Sequence, residues 1–272
     1  MKVTNQLDIQ IKVLDLEGKD SGSVELPSVF VTPIREDVIN KAYVALASHG
    51  RIPQGRDPLA GERTTAETNN PPTGRGISRI PRTKGEHYSK SGMAGAVASI
   101  VHGRLPHPPR SEKVIRKELN DKERHFALAS AIAATGKSEL VAKRGHKFSA
   151  NLPIVVSDDL ENISKVRDLK KFLNSIGAGE DIERARNRTK KVGSALARVK
   201  RTGAGPLIVV SRSSKLRNAA RSLEGVSIAK SSDLSVLDLA PGSMPGRLTI
   251  WTKEALQTIS KQVQQVGARY AS

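Results

Sequence analysis

Residues 51–110 read RIPQGRDPLAGERTTAETNNPPTGRGISRIPRTKGEHYSKSGMAGAVASIVHGRLPHPPR, and this stretch decides how the chain is organised. It holds eight of the chain's 14 prolines, which interrupt helices and central strands. Its apolar residues follow neither a helical nor a strand period, except briefly over 93–101. Its ten lysines and arginines outnumber its four acids. The stretch therefore lacks the pattern of a regular element and carries the charge of a segment that lies against a polyanion.

Loops of this length are usually functional or disordered, so a disordered linker is the alternative. The arginines are spaced rather than blocked, and Gly-Arg-Gly at 74–76 and Ile-Pro-Arg at 80–82 suit a backbone that follows nucleic acid. We therefore predict an extended RNA-penetrating arm over residues 50–110. Its predicted RNA contacts are Arg51, Arg56, Arg63, Arg75, Arg79, Arg82, Lys84, His87, Lys90, Arg104, His107 and Arg110.

The composition of the 272 residues points to the same class of partner. The net charge is +18, which favours nucleic acid or an anionic membrane as partner. Only 3% of the residues are aromatic, so arginine and phosphate contacts are expected to dominate over base stacking. The chain has no cysteine and no long apolar run, and its first residues lack a signal-peptide core. We expect a cytoplasmic protein with no membrane span.

Outside the arm, the pattern predicts an α/β fold. After residue 110, short apolar runs alternate with amphipathic stretches, which is typical of parallel strands with helices on both faces. We predict a three-layer, Rossmann-like domain with a mainly parallel sheet, built from residues 1–49 and 111–272, with the arm inserted after the first helix. Predicted strands are 7–13, 24–31, 152–156, 206–210, 226–229 and 248–251; predicted helices are 33–48, 111–119, 121–134, 164–176, 215–223, 234–239 and 253–266.

A second basic stretch, residues 184–201, carries eight cations and no acid. A solvated surface normally intersperses both signs, so this composition favours nucleic-acid contact. The predicted contacts are Arg184, Arg186, Arg188, Lys190, Lys191, Arg198, Lys200 and Arg201.

Motifs for catalysis are weak. Thr-Gly-Lys-Ser at 135–138 resembles the end of a phosphate-binding loop, but Ala131 stands where that motif needs glycine, and a helix precedes it. The histidines lack metal-ligand spacing. Asp158 and Asp159 follow a predicted strand, and helix capping is favoured over a catalytic pair. We predict no catalytic residue, no cofactor and no metal site, hence not an enzyme.

Several stretches together resemble one known family, the archaeal–eukaryotic branch of large-subunit ribosomal protein four. They are VELPSVF (24–30), GRDPLAGERTTAET (55–68), TGRGISRIPRTKG (73–85), FALASAIAATG (126–136), RGHKF (144–148) and LAPGSMPGRLTIWTKEAL (239–256). One departure is that Asn-Asn-Pro-Pro at 69–72 replaces a tryptophan-glycine pair that related chains often carry.

The resemblance implies a structural ribosomal protein. Its expected partners are large-subunit rRNA, other large-subunit proteins and the nascent peptide, because family arms reach the peptide exit tunnel and assist assembly. The implied tunnel tip is Thr68, Asn69, Asn70, Pro71, Pro72, Thr73, Gly74, Arg75 and Gly76. Two alternatives stay open: a nucleotide-dependent RNA-modifying enzyme on a doubly wound sheet, and a free mRNA-binding regulator.

Overall fold

The computed structural model describes residues 10–68, 70–193, 199–212 and 215–260. The strands are β1 (Gln10–Leu14), β2 (Asp20–Glu25), β3 (Ala66–Thr68), β4 (Pro81–Thr83), β5 (Ile154–Val156), β6 (Lys190–Val192), β7 (Val199–Arg201), β8 (Leu207–Val210), β9 (Ser227–Lys230) and β10 (Thr249–Thr252). The helices are α1 (Glu36–Ser48), α2 (Asp121–Thr135), α3 (Ser138–Arg144), α4 (Val166–Ser175), α5 (Gly179–Asn187), α6 (Leu216–Ala220), α7 (Val236–Leu239) and α8, described over 253–260.

A central six-stranded sheet confirms the mixed α/β prediction with a mostly parallel sheet. Its strand order is β2-β1-β5-β10-β8-β9. The pairs β1/β5, β5/β10, β10/β8 and β8/β9 are parallel, and β2 adds an antiparallel edge to β1. The inner strands read IVV, LIVV and TIWT and are buried at every position, as expected for parallel strands covered on both faces.

Apolar residues fill both faces of this sheet. Because side chains alternate along a strand, Val155 joins one buried cluster while Ile154 and Val156 join another. The first cluster includes residues of α1, α2, α7 and α8, and the second includes residues of α3, α4, α5 and α6. The sheet therefore lies between two helical layers.

Several predicted elements differ from those observed. The extended piece predicted over 24–31 is wrong in part, because β2 ends at Glu25 and Ser28–Val31 forms a 3-10 helix. The helix predicted over 111–119 is wrong, since this stretch has no regular structure, whereas α2 confirms the next prediction. Helices α3 and α5 were not predicted. Leu7 and Ile9, and the end of the last helix, lie outside the described residues.

The chain divides into two compact units, residues 1–48 with 117–272, and residues 49–116. In the 49–116 unit, β3 and β4 pair antiparallel with Ala66 opposite Thr83 and Thr68 opposite Pro81. Residues 92–95 continue this pairing, because Thr83 N–H donates to the Met93 carbonyl at 2.8 Å and Gly95 N–H to the Pro81 carbonyl at 3.0 Å. Regular structure in the described part of this unit is thus a small hairpin with an added edge.

Candidate nucleic-acid interface

The basic stretch 184–201 runs from the last turn of α5 into the β6–β7 hairpin. Arg186, Arg188 and Lys190 have exposed side chains. No ion pair to an acid is found for these three within the described part of the chain. In the hairpin, Lys190 stands opposite Arg201 and Lys191 opposite Lys200. Cations at facing positions destabilise an isolated strand pair, so this hairpin suits a site beside an anion.

Arg184 is placed differently from the other predicted contacts. Its side chain is 11% exposed, and its Nε donates to Asp181 Oδ1 at 2.7 Å. Its Nη2 donates to the Ala204 carbonyl at 2.6 Å, which ties α5 to the chain that follows the hairpin. Arg198 lies outside the described residues. Arg184 therefore anchors the base of the hairpin, and we assign it to the fold rather than to the predicted RNA surface.

The buried carboxylate of Asp181 fixes the position of Arg184. Its carboxylate accepts hydrogen bonds from the Lys147 amide at 3.0 Å and from His146 Nδ1 at 2.9 Å, besides that from Arg184. Burial by itself raises the pKa of Asp181, but the hydrogen bonds from His146 and Arg184 outweigh it and the pKa lies below its ordinary value. Burial lowers the pKa of His146, although Asp181 opposes that shift. The cluster thus holds an ionised carboxylate, a neutral imidazole and a guanidinium.

The chain that follows the β6–β7 hairpin is also held by close packing. A Cβ added at Gly203 would lie 2.9 Å from the Ala185 carbonyl oxygen, and one at Gly205 would lie 2.9 Å from the Gly225 carbonyl oxygen. Arg247 is 4% exposed and donates from Nε to the Gly205 carbonyl at 2.9 Å and from Nη1 to the Asp238 carbonyl at 2.8 Å. Burial, with a smaller effect of Arg144, lowers the pKa of Arg247 to about 10. The Gly-Ala-Gly stretch at 203–205 therefore allows a tight approach beneath the hairpin.

The predicted cations of the 49–116 unit fall into three groups. Three form exposed ion pairs inside the unit: Arg63 with Asp57 at 2.5 Å, Arg104 with Glu62 at 3.5 Å, and Lys84 with Glu67. Arg82 instead donates from Nη1 to the Gly92 carbonyl at 2.9 Å. Within the described residues no acid pairs with the others, which are exposed: Arg51, Arg56, Arg75, Arg79, Lys90 and Arg110.

The predicted tip lies in the connection between β3 and β4. Thr68 ends β3, Asn69 is outside the described residues, and 70–76 form an exposed loop with Pro71 half-buried. Gly74 and Gly76 have φ of +93° and +66°, and a Cβ on either would meet nothing within 4 Å. These two glycines are needed for backbone conformation and not for packing.

Left-handed backbone also occurs at residues other than glycine in this unit. His87 and His102 have φ of 59° and 60°, and both are exposed, as is the predicted contact His107. Such conformations cost free energy and gather at functional sites. Both histidines therefore present their rings from constrained positions.

The carboxylates near the sheet edge serve the fold. Asp158 Oδ1 accepts from the Glu254 amide at 2.9 Å at the start of α8, which confirms its capping role. Glu161 accepts from the Ser211 and Arg212 amides at 2.6 and 2.9 Å. Residues 135–138 join the end of α2 to the start of α3 and do not follow a strand, contrary to the context that a phosphate-binding loop needs.

The described part of the chain offers neither a metal-binding cluster nor a membrane-spanning helix. Among these residues, no three His, Asp or Glu side chains are grouped so that they could hold a metal ion. No helix there is long and apolar enough to cross a membrane.

A sequence model of the ribosomal protein L4/L1 family matches residues 24–262. The chain belongs to this family. It is 41% identical to large ribosomal subunit protein uL4 of Halorubrum lacusprofundi over 251 residues, covering 91% of this chain and 98% of that protein. It is also 39% identical to the Methanopyrus kandleri protein of that name, covering 94% and 99% of the two chains, and 38% identical to that of Saccharolobus islandicus, covering 93% and 94%. The resemblance predicted from the motifs is confirmed, and the protein is a ribosomal protein.

Sequence reasoning missed the residues that hold the site together. His146 and Asp181 are 35 positions apart, so no local spacing signals their contact. His146 stands in the RGHKF stretch, which drew attention only through family resemblance. Arg144, which is half-buried, and the buried Arg247 were not singled out either, because a buried arginine and an exposed one look alike in a sequence.

Proposed function

We propose that this ribosomal protein is a structural constituent of the large ribosomal subunit in the cytoplasm, and that it binds large-subunit rRNA through two basic surfaces. The first, which we call the hairpin surface, consists of the exposed end of α5 and the β6–β7 hairpin. The second is formed by the unpaired cations of the 49–116 unit. The observation that carries the proposal concerns cations with described side chains. Arg186, Arg188 and Lys190, and six exposed cations of the 49–116 unit, have no acid partner within the described part of the chain, whereas Arg184 and Arg247 are bonded inside the fold.

The contrast between Arg184 and Arg186 supports this division. Arg184 is bonded to Asp181 and Ala204, whereas Arg186, two positions later in the same helix, is exposed. A guanidinium without an acid partner can take a phosphate bidentately. Each phosphate neutralised releases condensed counterions, which makes binding favourable at low salt and weaker at high salt.

The 49–116 unit is proposed as the arm that penetrates rRNA. Among its described residues only Gly95 is buried, so it gains little stability from an apolar core. Contacts with RNA phosphate would supply the missing stabilisation and would also bridge RNA segments that otherwise repel each other. That bridging is the proposed contribution to subunit assembly.

The loop between β3 and β4 is proposed as the tip that contributes to the wall of the peptide exit tunnel. Its support is positional: the loop lies at the end of the hairpin farthest from the ends of the 49–116 segment along the pairing, and it is exposed. Neighbouring large-subunit proteins and the passing nascent peptide are its proposed contacts besides rRNA.

The test is the salt dependence of binding to large-subunit rRNA, measured by filter retention at increasing potassium chloride. Replacing Arg186, Arg188 and Lys190 with alanine should weaken binding. It should also lower the slope of log K against log salt by about three, because each of the three cations would otherwise neutralise one phosphate.

The matched control replaces Lys12, Lys19 and Arg35, which carry the same total charge. These cations already pair with Asp20, Glu17 and Asp37 at 2.6, 2.7 and 2.7 Å. The control should leave the slope nearly unchanged. If it weakens binding as much as the hairpin variant, net charge explains the affinity and the proposed surface is wrong.

A further inference from the structure

Helix α6 and the strand ends beside it carry exposed cations that lie outside the two basic surfaces. Lys230 ends β9 and stands opposite Val210 of β8, and Arg212 follows two positions after Val210. Because β8 and β9 are parallel, their carboxyl ends meet at the same end of the sheet, and the chain enters α6 from there. We call this set the α6 surface, and its members are all exposed: Arg212, Lys215, Arg217, Arg221 and Lys230.

Helix α6 has one apolar face and one basic face. Leu216, Ala219 and Ala220 are buried in the core. Arg217 and Arg221 are exposed and four positions apart. Residues at this spacing are neighbours on a helix surface, so the two guanidinium groups repel each other unless an anion neutralises them. The helix dipole favours cations in the last turn, but the cations at the strand ends lie outside the helix and need another explanation.

Acidic partners for the α6 surface are missing from the described part of the chain. No carboxylate there forms an ion pair with any of the five cations. Glu161 lies nearby, but its oxygens accept from the Ser211 and Arg212 amides at 2.6 and 2.9 Å, which fixes the backbone and leaves the Arg212 side chain exposed. Residues 211–230 contain five cations and one acid, Glu224, whereas a solvated surface normally intersperses both signs.

Phosphate is the partner that this chemistry fits. Among the described residues of 207–230 no large apolar side chain is exposed, whereas protein interfaces and membrane-bound helices bury apolar groups. Three of the five cations are arginines, whose planar fork of donors binds phosphate oxygens bidentately. A strand of RNA supplies successive phosphates, which can neutralise the helix cations and the strand-end cations together.

We propose that the α6 surface is a second rRNA-binding site of the globular unit and contacts a segment of RNA other than the one at the hairpin surface. The inference rests on the proposed function, which makes rRNA the ligand. The β6–β7 hairpin precedes the amino end of β8, and Arg212 follows its carboxyl end, so the two sites are attached to opposite ends of one strand. Strand β8 is buried at every position, and the globular unit would therefore hold the two RNA segments at a fixed separation.

The salt dependence of binding to large-subunit rRNA tests this with the full chain, measured by filter retention at increasing potassium chloride. Replacing Arg217, Arg221 and Lys230 with alanine should lower the slope of log K against log salt by about two to three, because each cation would otherwise neutralise one phosphate. Alanine is a good helix former, so this variant should fold, and a urea unfolding curve checks it. Lys230→Ala by itself lies outside the helix and should lower the slope by about one even if the triple variant unfolds.

The matched control replaces two arginines and one lysine that already have acid partners. Arg35, Arg124 and Lys12 pair with Asp37, Asp121 and Asp20 at 2.7, 3.0 and 2.6 Å. This control should leave the slope nearly unchanged, and an equal fall in both variants would overturn the inference. An unchanged slope in the α6 variant, together with a lower slope in the hairpin variant, would overturn it and leave the proposed function standing. No fall in either variant would overturn both.

Hydroxyl-radical footprinting of the bound rRNA decides whether the two sites hold different segments. The α6 variant should lose protection at nucleotides other than those that the hairpin variant loses. Loss of protection at the same nucleotides in both variants would show that the α6 surface and the hairpin surface contact one segment, contrary to the proposal.

Discussion

The globular unit, residues 1–48 with 117–272, and the 49–116 unit are stabilised by different means. The globular unit buries apolar residues on both faces of its sheet, with Trp251, Leu173 and Leu207 fully buried. The 49–116 unit buries only Gly95 among its described residues. Of the eleven exposed large apolar side chains in the described residues, eight belong to the 49–116 unit. Its shape depends on backbone hydrogen bonds, close glycine contacts and exposed ion pairs.

The two units also differ in the exposure and the bonding of their arginine side chains. In the globular unit, Arg247 and Arg144 are bonded to backbone carbonyls and burial lowers the pKa of each to about 10. In the 49–116 unit, Arg75 and Arg79 are exposed and no acid pairs with them among the described residues. The difference indicates that one residue type specifies the fold in the first unit and is available for a partner in the second.

The largest effect is expected from breaking the buried ion cluster of the globular unit. Asp181→Ala removes the carboxylate that accepts from Arg184 and His146 in a buried site, which should lower the free energy of unfolding by about 3–5 kcal/mol. Urea denaturation measures this. Asp159→Ala, at an exposed carboxylate, should change it by less than about 0.5 kcal/mol. Equal effects would show that the buried cluster does not stabilise the globular unit.

A smaller and more local effect is expected from a glycine of the 49–116 unit. A Cβ at Gly61 would lie 2.7 Å from the Cα and the backbone N of Arg104, so Gly61→Ala should destabilise this unit by about 1–3 kcal/mol. Limited proteolysis within 49–116 should accelerate, while the thermal transition of the globular unit stays unchanged.

Gly92 provides the control, because it too has positive φ but its Cβ would meet nothing within 4 Å. Gly92→Ala tests the cost of backbone conformation alone and should accelerate proteolysis less. If Gly61→Ala lowers the main thermal transition, the two units do not unfold independently and the comparison fails.

The exposed arginines should affect binding and not folding. Arg75→Ala with Arg79→Ala should lower the slope of log K against log salt for large-subunit rRNA by about two, and should leave the melting temperature unchanged. Arg82 is left out because its bond to Gly92 supports the hairpin. A fall in melting temperature with an unchanged slope would reverse the roles assigned to these arginines.

The smallest effect is a pH dependence confined to the globular unit. The pKa of His146 is lower in the fold than in the unfolded chain, so the unfolded chain binds a proton first as the pH falls. The resulting stabilisation is fully present above the unfolded pKa of about 6.5 and decreases below it until the folded pKa is reached. Unfolding free energies measured from pH 8 to pH 5 should decrease less in His146→Gln. An equal decrease would show that His146 is not the group responsible.

The sequence predicted the sheet well and the supporting contacts poorly. Runs such as PLIVV and RLTIWT identify β8 and β10 because a strand buried on both faces must be apolar throughout. Helix α5 was missed because its basic residues were interpreted as a binding surface, and because only two of its apolar residues, Ile182 and Ala185, are buried. The β3–β4 hairpin was missed because residues 69–80 separate strands of three residues each.

For the candidate site, too, the sequence predicted one part and the structure was needed for the other. Which residues are basic, and that 184–201 has no acid, follow from the sequence alone. That Arg184 faces Asp181 whereas Arg186 is exposed follows from the helical turn and from the chain packed against it.

The sequence by itself determined the family, the layered α/β pattern, the excess of positive charge and its concentration in two stretches, because these depend on residue type and local period. Only the tertiary structure decided which cations are bonded internally and which are exposed, and that His146 and Asp181 meet. Hydrogen bonds and burial depend on distances between residues far apart in the chain, and those distances exist only after the sheet has brought its helices together.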